Sequence, residues 1–367
     1  MDKAIAMKVI TIDNPARHAG FLTLPEMIGA TDPGFIQESA AATRAALDVP
    51  EYRDRQAAFL VCSGDAPVAR CVARYGTNEA GTIGFFAAQQ DVDACRMLLG
   101  AACNWLQEQG TSRVLGPMDG DTWHPYRFNL GPYDKMPYLK EPWNPPWYPA
   151  LWEACGFVEI DRYYSALMPD PAHTAAAFAP FLKRVRRQGY TFRPFRKEAM
   201  AEELDVLYAL SLRIFPENRH YTPISRDAFH ALYAGAGPLI HPAFCQYCCN
   251  AEGAEIGYVF AYPDVAEAVR AMRGKQGLPA KMRFLANRGR ADRVCVKTLG
   301  CIPAYQGKGV APALMAVACE AAANAGYSQA LMCLMHAGND SRRLDAGTSE
   351  LFREYALYAS DLNESVV

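Results

Sequence analysis

Hydrophobic and polar positions in the first half of the chain follow the periods of strands and helices in turn. Two β-rich runs around a Ser-Gly-Asp turn predict a hairpin over residues 56–75, and apolar residues at helical spacing predict a helix over residues 93–109. The other elements predicted for this half are strands at residues 82–86, 113–115 and 160–167 and a helix at residues 148–155. This half therefore reads as a mixed α/β domain.

The second half repeats this order of elements. Its predicted strands lie at residues 190–194, 330–335 and 353–359, with a hairpin at 244–261, a strand from residue 294, and helices at 203–215 and 313–325. Between the halves, prolines and alanines predict a linker, in which Lys183, Arg184, Arg186 and Arg187 form a solvated helix face rather than a nucleic-acid patch. We therefore predict one domain over residues 1–168, a linker over 169–188 and a second domain over 189–367.

Composition agrees with two packed domains. The chain has 367 residues, of which 51% are hydrophobic and 21% charged, enough for two hydrophobic cores. The formal net charge of −2 argues against a nucleic-acid partner. Neither a membrane span nor the pattern of a signal peptide is evident, so we expect a soluble cytoplasmic protein without a membrane partner. Twelve cysteines scattered through apolar segments predict buried free thiols rather than disulfides or a metal site.

A glycine-rich turn near the C-terminal end carries the clearest chemical signal. Residues 306–311 read QGKGVA, after an apolar strand pattern and before an alanine-rich helix pattern. Such a turn directs backbone N–H groups outward at the positive end of a helix dipole. We therefore predict that it binds a phosphate or pyrophosphate group.

This turn and its setting resemble the GNAT superfamily of N-acyltransferases. The signature Q/R-x-x-G-x-G/A is matched by Gln306, Gly309 and Ala311, and the resemblance extends over roughly residues 190–360. The first half is also GNAT-like in element order, and several segments resemble bacterial two-domain GNAT-like proteins. The resemblance implies two tandem α/β domains, each with a mixed, mostly antiparallel sheet flanked by helices.

The resemblance also implies acetyl-CoA or another acyl-CoA as co-substrate, with no metal. Backbone groups near the end of the strand are expected to contact the pantetheine arm, and turn amides to bind the pyrophosphate. Asn339 is expected near the pantetheine, although its alternative role is a turn or helix cap. The expected cofactor-binding residues are Leu299, Gly300, Cys301, Ile302, Gln306, Gly307, Lys308, Gly309, Val310, Ala311 and Asn339.

The first half departs from the family pattern at the corresponding turn. Residues 89–93 read QQDVD, with no glycine and with two acids where a pyrophosphate would bind. Carboxylates at this position repel phosphates. We therefore expect that the first half has lost the coenzyme A site and has a structural or substrate-shaping role.

The catalytic residues are less clearly marked. No carboxylate lies on the strand before the turn, so we predict Asp264 as the base, with a helix N-cap as its alternative role. Tyr355 and Tyr358 are the candidate acids that the resemblance implies, although both also suit a hydrophobic core. Cys301 lies on an apolar strand without a nearby histidine, which favours direct acyl transfer over a covalent intermediate.

The acceptor site is predicted from topology. In the GNAT fold the segment after the first helix borders the acceptor, which here places Glu217, Asn218 and Tyr221 in the site, together with Tyr262. A second polar and aromatic group lies in the first half and predicts a ligand wall or, preferably, an interdomain seam. Its residues are Asp121, Trp123, His124, Tyr126, Arg127, Trp143, Asn144, Trp147 and Tyr148.

The leading functional hypothesis is an acyl-CoA-dependent N-acyltransferase, most simply an acetyltransferase. The predicted enzyme transfers the acyl group directly to a small amine or amino-acid-like acceptor in the second domain. A homodimer is compatible with this hypothesis. Two alternatives remain open from the sequence. One is a non-catalytic acyl-CoA-binding protein, and the other is a transferase that uses a carrier-protein or aminoacyl donor.

Overall fold

The structure is a computed structural model that describes residues 6–37, 39–76, 80–237, 239–339, 344 and 347–362. The strands are β1 (Met7–Ile12), β2 (Gln56–Ser63), β3 (Ala66–Arg74), β4 (Ala80–Ala88), β5 (Arg113–Gly116), β6 (Phe128–Gly131), β7 (Val158–Met168), β8 (Thr191–Pro194), β9 (Cys245–Cys249), β10 (Glu255–Pro263), β11 (Arg293–Cys301), β12 (Gln329–His336) and β13 (Glu350–Asp361). The helices are α1 (Ala19–Gly29), α2 (Ala40–Leu47), α3 (Val92–Glu108), α4 (Tyr148–Ala154), α5 (Pro171–Arg187), α6 (Met200–Ile214), α7 (Arg226–Tyr233), α8 (Ala266–Met272), α9 (Leu278–Asn287) and α10 (Val310–Asn324).

The chain forms two compact units. Unit 1 comprises Met1–Arg162, Ala268–Asn287 and Glu354–Val367, and unit 2 comprises Tyr163–Glu267 and Arg288–Arg353. Each unit therefore contains a strand segment from the other half of the sequence. The end of β13 completes the sheet of unit 1, and the end of β7 completes the sheet of unit 2.

Unit 1 contains a mixed sheet in the order β1-β2-β3-β4-β5-β13, with β6 also beside β13. Its pairs are antiparallel except for β4 with β5. Helix α3 packs on β2 and β3 through its apolar face, because residues three and four apart lie on one side of a helix. Leu98, Leu106, Val114 and Trp152 lie in the resulting core and are completely buried.

Unit 2 has the order β7-β12-β11-β10-β9-β8 and a matching arrangement. Among the described strand pairs of this unit, β11 and β12 are parallel and the others antiparallel, and α10 connects β11 to β12. Helix α10 packs on β9, β10 and β11 and is covered in turn by α5. The prediction of two α/β domains, each with a mixed sheet flanked by helices, is confirmed. Among the described helices, none combines the length and apolar character needed to cross a bilayer.

The structure places α5 within the predicted linker at residues 169–188, where the sequence predicts a solvated helix face for the cationic residues. Asp170 caps this helix, accepting hydrogen bonds from the amides of Ala172 and His173 at 2.9 and 3.1 Å. Phe178, Leu182 and Val185 form its buried stripe. The division of the chain also differs from a cut after residue 168, because the last strand of each half joins the other unit.

Candidate functional site

Strands β11 and β12 separate at their carboxyl ends. Their ladder runs from Arg293 paired with Gln329 to Val296 paired with Met332 and ends there. Beyond it, β11 continues to Cys301 along β10, whereas β12 continues along β7. Lys297 forms a bulge in β11, because Val296 and Thr298 pair with consecutive residues of β10. A gap therefore opens between two parallel strands within unit 2.

The glycine-rich turn connects the end of β11 to the first turn of α10. Gly307 and Gly309 have φ angles of 72° and 91°, a region that glycine adopts without strain. Gly309 is the N-cap residue, and no side chain caps the helix. Four amides have no hydrogen-bond acceptor within the part of the chain that the structure describes, namely those of Gly307, Gly309, Val310 and Ala311.

These amides lie at the positive end of the helix dipole, which favours an anion. Gln306, Gly307 and Lys308 are exposed, whereas Gly309 and Val310 are buried, so the turn is open to solvent at its beginning. The Lys308 ammonium lies 4.9 Å from the centroid of the Tyr305 ring and adds positive charge beside the turn. The turn therefore combines N–H donors with a nearby cation, and the binding of a phosphate there stays a prediction.

The end of β11 presents some of its predicted backbone groups to the gap. The amide of Ile302 donates to the Ile256 carbonyl on the β10 side at 2.9 Å, so it is not available to a ligand. Successive amides of a strand point to opposite edges, which directs the amides of Leu299 and Cys301 toward the open edge. The Cys301 thiol itself is buried, and burial raises its pKa to about 11. Such a thiol is a poor nucleophile at neutral pH.

Helix α6 approaches this strand closely at Gly300. A Cβ atom at Gly300 would lie 2.7 Å from Cγ2 of Ile214 and 3.6 Å from Cε1 of Phe215. The end of α6 therefore packs on β11, and the loop that follows begins beside it. Glu217 and Asn218 are exposed in this loop. Its position agrees with the predicted border of an acceptor site, which stays a prediction.

The remaining predicted ligand contacts of unit 2 are less open. Tyr221 is half-buried in the same loop, where burial raises its pKa, and Tyr262 is buried within β10. Asn339 is exposed after β12, and its amide donates to the His336 carbonyl at 3.0 Å. This bond supports the alternative role of Asn339 in a turn. The geometry by itself favours a ligand role for none of the three.

Asp264 is held in a structural arrangement. Its Oδ2 accepts a hydrogen bond from Nε of Arg293 at 2.7 Å, and its Oδ1 accepts one from the Ala266 amide at 3.1 Å. The side chain is almost completely buried. Both carboxylate oxygens are therefore engaged in hydrogen bonds within the protein. The geometry therefore favours the capping role of Asp264 over its predicted role as base.

The two candidate acids, Tyr355 and Tyr358, belong to unit 1 rather than to the unit that contains the turn. Tyr355 is completely buried, and its hydroxyl donates to Glu141. The Tyr358 hydroxyl donates to Glu153 at 3.0 Å, and burial, followed by this bond, raises its pKa. Both side chains are buried and hold β13 in place through these hydrogen bonds, which agrees with their alternative role as core residues.

His336 is a residue that the sequence analysis did not select. It ends β12, at the edge of the gap, and its Nδ1 accepts a hydrogen bond from the Gly338 amide at 3.0 Å. In the neutral ring this bond places the proton on Nε2. The only signal in the sequence is a histidine directly after the apolar run ALMCLM.

The corresponding position in unit 1 is closed by the protein itself. The β4–β5 ladder also ends early, at Thr82 paired with Leu115. There the Phe85 amide donates to Oδ1 of Asp119 at 2.6 Å, and a Cβ at Gly84 would overlap this carboxylate. Asp91 caps α3 by accepting from the Ala94 amide at 2.9 Å. Carboxylates therefore occupy the positions where unit 2 has free amides.

The polar cluster of unit 1 contains an oriented histidine. Oδ1 of Asp121 lies 2.8 Å from Nδ1 of His124, and its Oδ2 accepts from the Tyr52 hydroxyl at 3.1 Å. Burial acts to raise the Asp121 pKa, but these bonds, the charge of His124 and the Trp123 amide outweigh it, so the pKa is lowered. The ionised carboxylate holds the imidazole through Nδ1.

The aromatic residues Trp143, Trp147 and Tyr148 make hydrogen bonds within unit 1. Nε1 of Trp143 donates to Asp32 at 3.0 Å, and Nε1 of Trp147 donates to the Ala88 carbonyl at 3.2 Å. The Tyr148 hydroxyl accepts from the Ala88 amide at 3.0 Å. These contacts give the three aromatic side chains structural roles within unit 1 that the sequence analysis did not consider.

The comparisons with known proteins agree with this geometry at the level of fold. A tandem GNAT protein from the clavulanic acid biosynthesis pathway superimposes with a TM-score of 0.55 at 11% identity, covering 98% of this chain and 100% of that one. The chain is 25% identical over 204 residues to Protein YghO of Escherichia coli, which is 55% of this chain and 51% of that protein. The match thus spans about half the length of YghO.

A second relative is the protein named Bacterial ceramide synthase of Caulobacter vibrioides. It is 21% identical over 282 residues, covering 73% of each chain. No protein-family profile matches the chain. The fold is therefore that of the tandem GNAT proteins, with two α/β units of the same architecture.

Proposed function

We propose that this protein is an N-acyltransferase that takes its acyl group from an acyl-CoA bound to unit 2. The observation that carries the proposal is the uncapped start of α10, where four amides that find no acceptor among the described residues lie at the open gap between β11 and β12. The pyrophosphate of coenzyme A supplies the anion that such a turn binds. Unit 1 has carboxylates at the corresponding positions, which supports one donor site per chain.

In the proposed reaction an amine nitrogen attacks the thioester carbonyl carbon. The C–N bond forms, the C–S bond breaks, and the proton lost by nitrogen is balanced by protonation of the leaving thiolate. Because burial raises the pKa of Cys301, transfer proceeds directly from the thioester to the amine. The amides of Leu299 and Cys301 at the open edge of β11 suit hydrogen bonding to the pantetheine arm or to the developing oxyanion.

The acceptor is a primary amine, and two classes are candidates. The first is a small amine or amino acid, bound near the exposed loop of Glu217 and Asn218. The second is a long-chain amino alcohol, because ceramides are N-acylated amino alcohols and one relative is named a ceramide synthase. Loop exposure supports the first class, and this relative supports the second.

A panel experiment tests the proposal. The full chain is incubated with each amine and one of three donors, namely acetyl-CoA, a long-chain acyl-CoA or an acylated acyl carrier protein, and amides are detected by mass spectrometry. Amide formation with an equal amount of released thiol supports transfer. Coenzyme A binding without any amide would indicate a non-catalytic binder. Activity with an acyl carrier protein but with no acyl-CoA would indicate a different donor.

A further inference from the structure

Helix α9 in unit 1 has an apolar face that no described residue covers. Leu278, Met282 and Leu285 are 73%, 62% and 55% exposed, although each is a large hydrophobic side chain. At about 100° per residue they fall within about 60° of one another around the helix. Ala280 is buried and Phe284 is half-buried, and both lie on the opposite side. The helix therefore packs through one apolar side and presents a second to solvent.

The segment that contains α9 is also strongly cationic. Between Glu267 and Asp292 the sequence has no acidic residue. The part of this segment in unit 1 carries five cations, although the net charge of the whole chain is −2. Four of them are exposed, namely Arg273, Lys275, Lys281 and Arg283. An apolar stripe flanked by Lys and Arg is typical of a helix that lies in a membrane interface.

Charge decides between a lipid surface and a second copy of the chain. In a twofold dimer the same patch would face itself, which would bring these cations together across the interface. An anionic bilayer instead provides opposite charge for the cations and an apolar layer for Leu278, Met282 and Leu285. We propose that α9 and the cationic segment before it dock on the surface of a membrane that contains anionic phospholipids.

This proposal does not depend on acyl transfer. It departs from the expectation of no membrane partner, which rested on the lack of a spanning segment. A helix that lies in the interface needs no span, because only one of its faces enters the lipid.

The test is co-sedimentation of the full chain with phosphatidylcholine vesicles, with and without phosphatidylglycerol, in the absence of acyl-CoA. One variant combines Leu278→Ser, Met282→Ser and Leu285→Ser. The control combines Met27→Ser and Val158→Ser, which changes equally exposed apolar residues of unit 1, at 55% and 61%. Circular dichroism checks that all proteins are folded.

We expect the wild type and the control to bind vesicles with phosphatidylglycerol at least roughly tenfold more tightly than phosphatidylcholine alone, with affinity falling as salt rises. The triple variant should bind roughly tenfold more weakly than the control. Equal binding by the triple variant and the control would overturn the proposal, as would no binding by the wild type. A wild type that is dimeric and does not bind vesicles, together with a monomeric triple variant, would also overturn the proposal, because the apolar face would then be a dimer interface.

Discussion

The amide of Ala311 allows one donor of the anion site to be removed alone. Ala311 is the second residue of α10, and its N–H has no acceptor within the described residues, so a proline there breaks no intramolecular hydrogen bond. The next residue is already Pro312, which shows that this first turn accommodates a proline ring. We expect Ala311→Pro to change the free energy of unfolding by less than about 1 kcal/mol.

The effect on ligand binding should be larger. A hydrogen bond from an amide to a charged oxygen contributes about 1.5–3 kcal/mol, and each 1.4 kcal/mol changes Kd about tenfold. We therefore expect Ala311→Pro to weaken coenzyme A binding roughly 10- to 150-fold. Ala311→Ser keeps the N–H group and should bind coenzyme A within about twofold of the wild type.

Titration calorimetry with two ligands separates the anion site from general damage. Coenzyme A contains the pyrophosphate, whereas pantetheine contains only the arm, so Ala311→Pro should weaken binding of the first ligand alone. Urea unfolding of each variant reports its stability. The reasoning is refuted if Ala311→Pro binds coenzyme A as tightly as the wild type, or loses affinity for both ligands equally.

Three further predictions concern stability, pH and the reaction path. Glu203 is completely buried and accepts hydrogen bonds from Nη1 of Arg193 at 2.9 and 3.0 Å. Glu203→Gln weakens these charged hydrogen bonds and should lower the free energy of unfolding by about 1.5–3 kcal/mol in urea titrations. An unchanged value would contradict this. The pKa of Asp121 is lower in the folded protein than in the unfolded chain, where it is about 4. The ionised carboxylate therefore contributes its full stabilisation of the fold above that pH, and the contribution is lost as pH falls through the folded pKa. Asp121→Asn should be less stable at neutral pH, and its stability should fall less than that of the wild type below about pH 4; parallel curves would argue against this linkage. Cys301→Ala should retain kcat for amide formation within about threefold, and a loss of more than about a hundredfold would point to a covalent intermediate.

The sequence is most informative where local chemistry determines structure. The turn at residues 306–311 was predictable because its backbone requires glycine at two positions, where φ is 72° and 91°. Those glycines lie between a strand pattern and a helix pattern, which marks the turn in the sequence. The side-chain cap of α3 was also predictable, because Asp91 lies among the acids at residues 89–93 and accepts from the Ala94 amide. The closing carboxylate of Asp119 was not, because it reaches Phe85 across 34 residues of sequence.

Long-range pairing explains the rest of the differences. Tyr355 and Tyr358 lie in the second half of the sequence, yet β13 joins the sheet of unit 1, and no local pattern specifies which sheet a final strand joins. Asp264 looked like a free acid because its partner Arg293 lies 29 residues later. The sequence predicted only the cationic face of α5, because prolines and alanines surround the buried stripe of Phe178, Leu182 and Val185.

A crystal structure with bound coenzyme A tests the central claim most directly. The account predicts the pyrophosphate within hydrogen-bond distance of the amides of Gly307, Gly309, Val310 and Ala311, with the pantetheine arm in the gap between β11 and β12. An empty turn at saturating coenzyme A, or a pyrophosphate bound at the start of α3 instead, would contradict it.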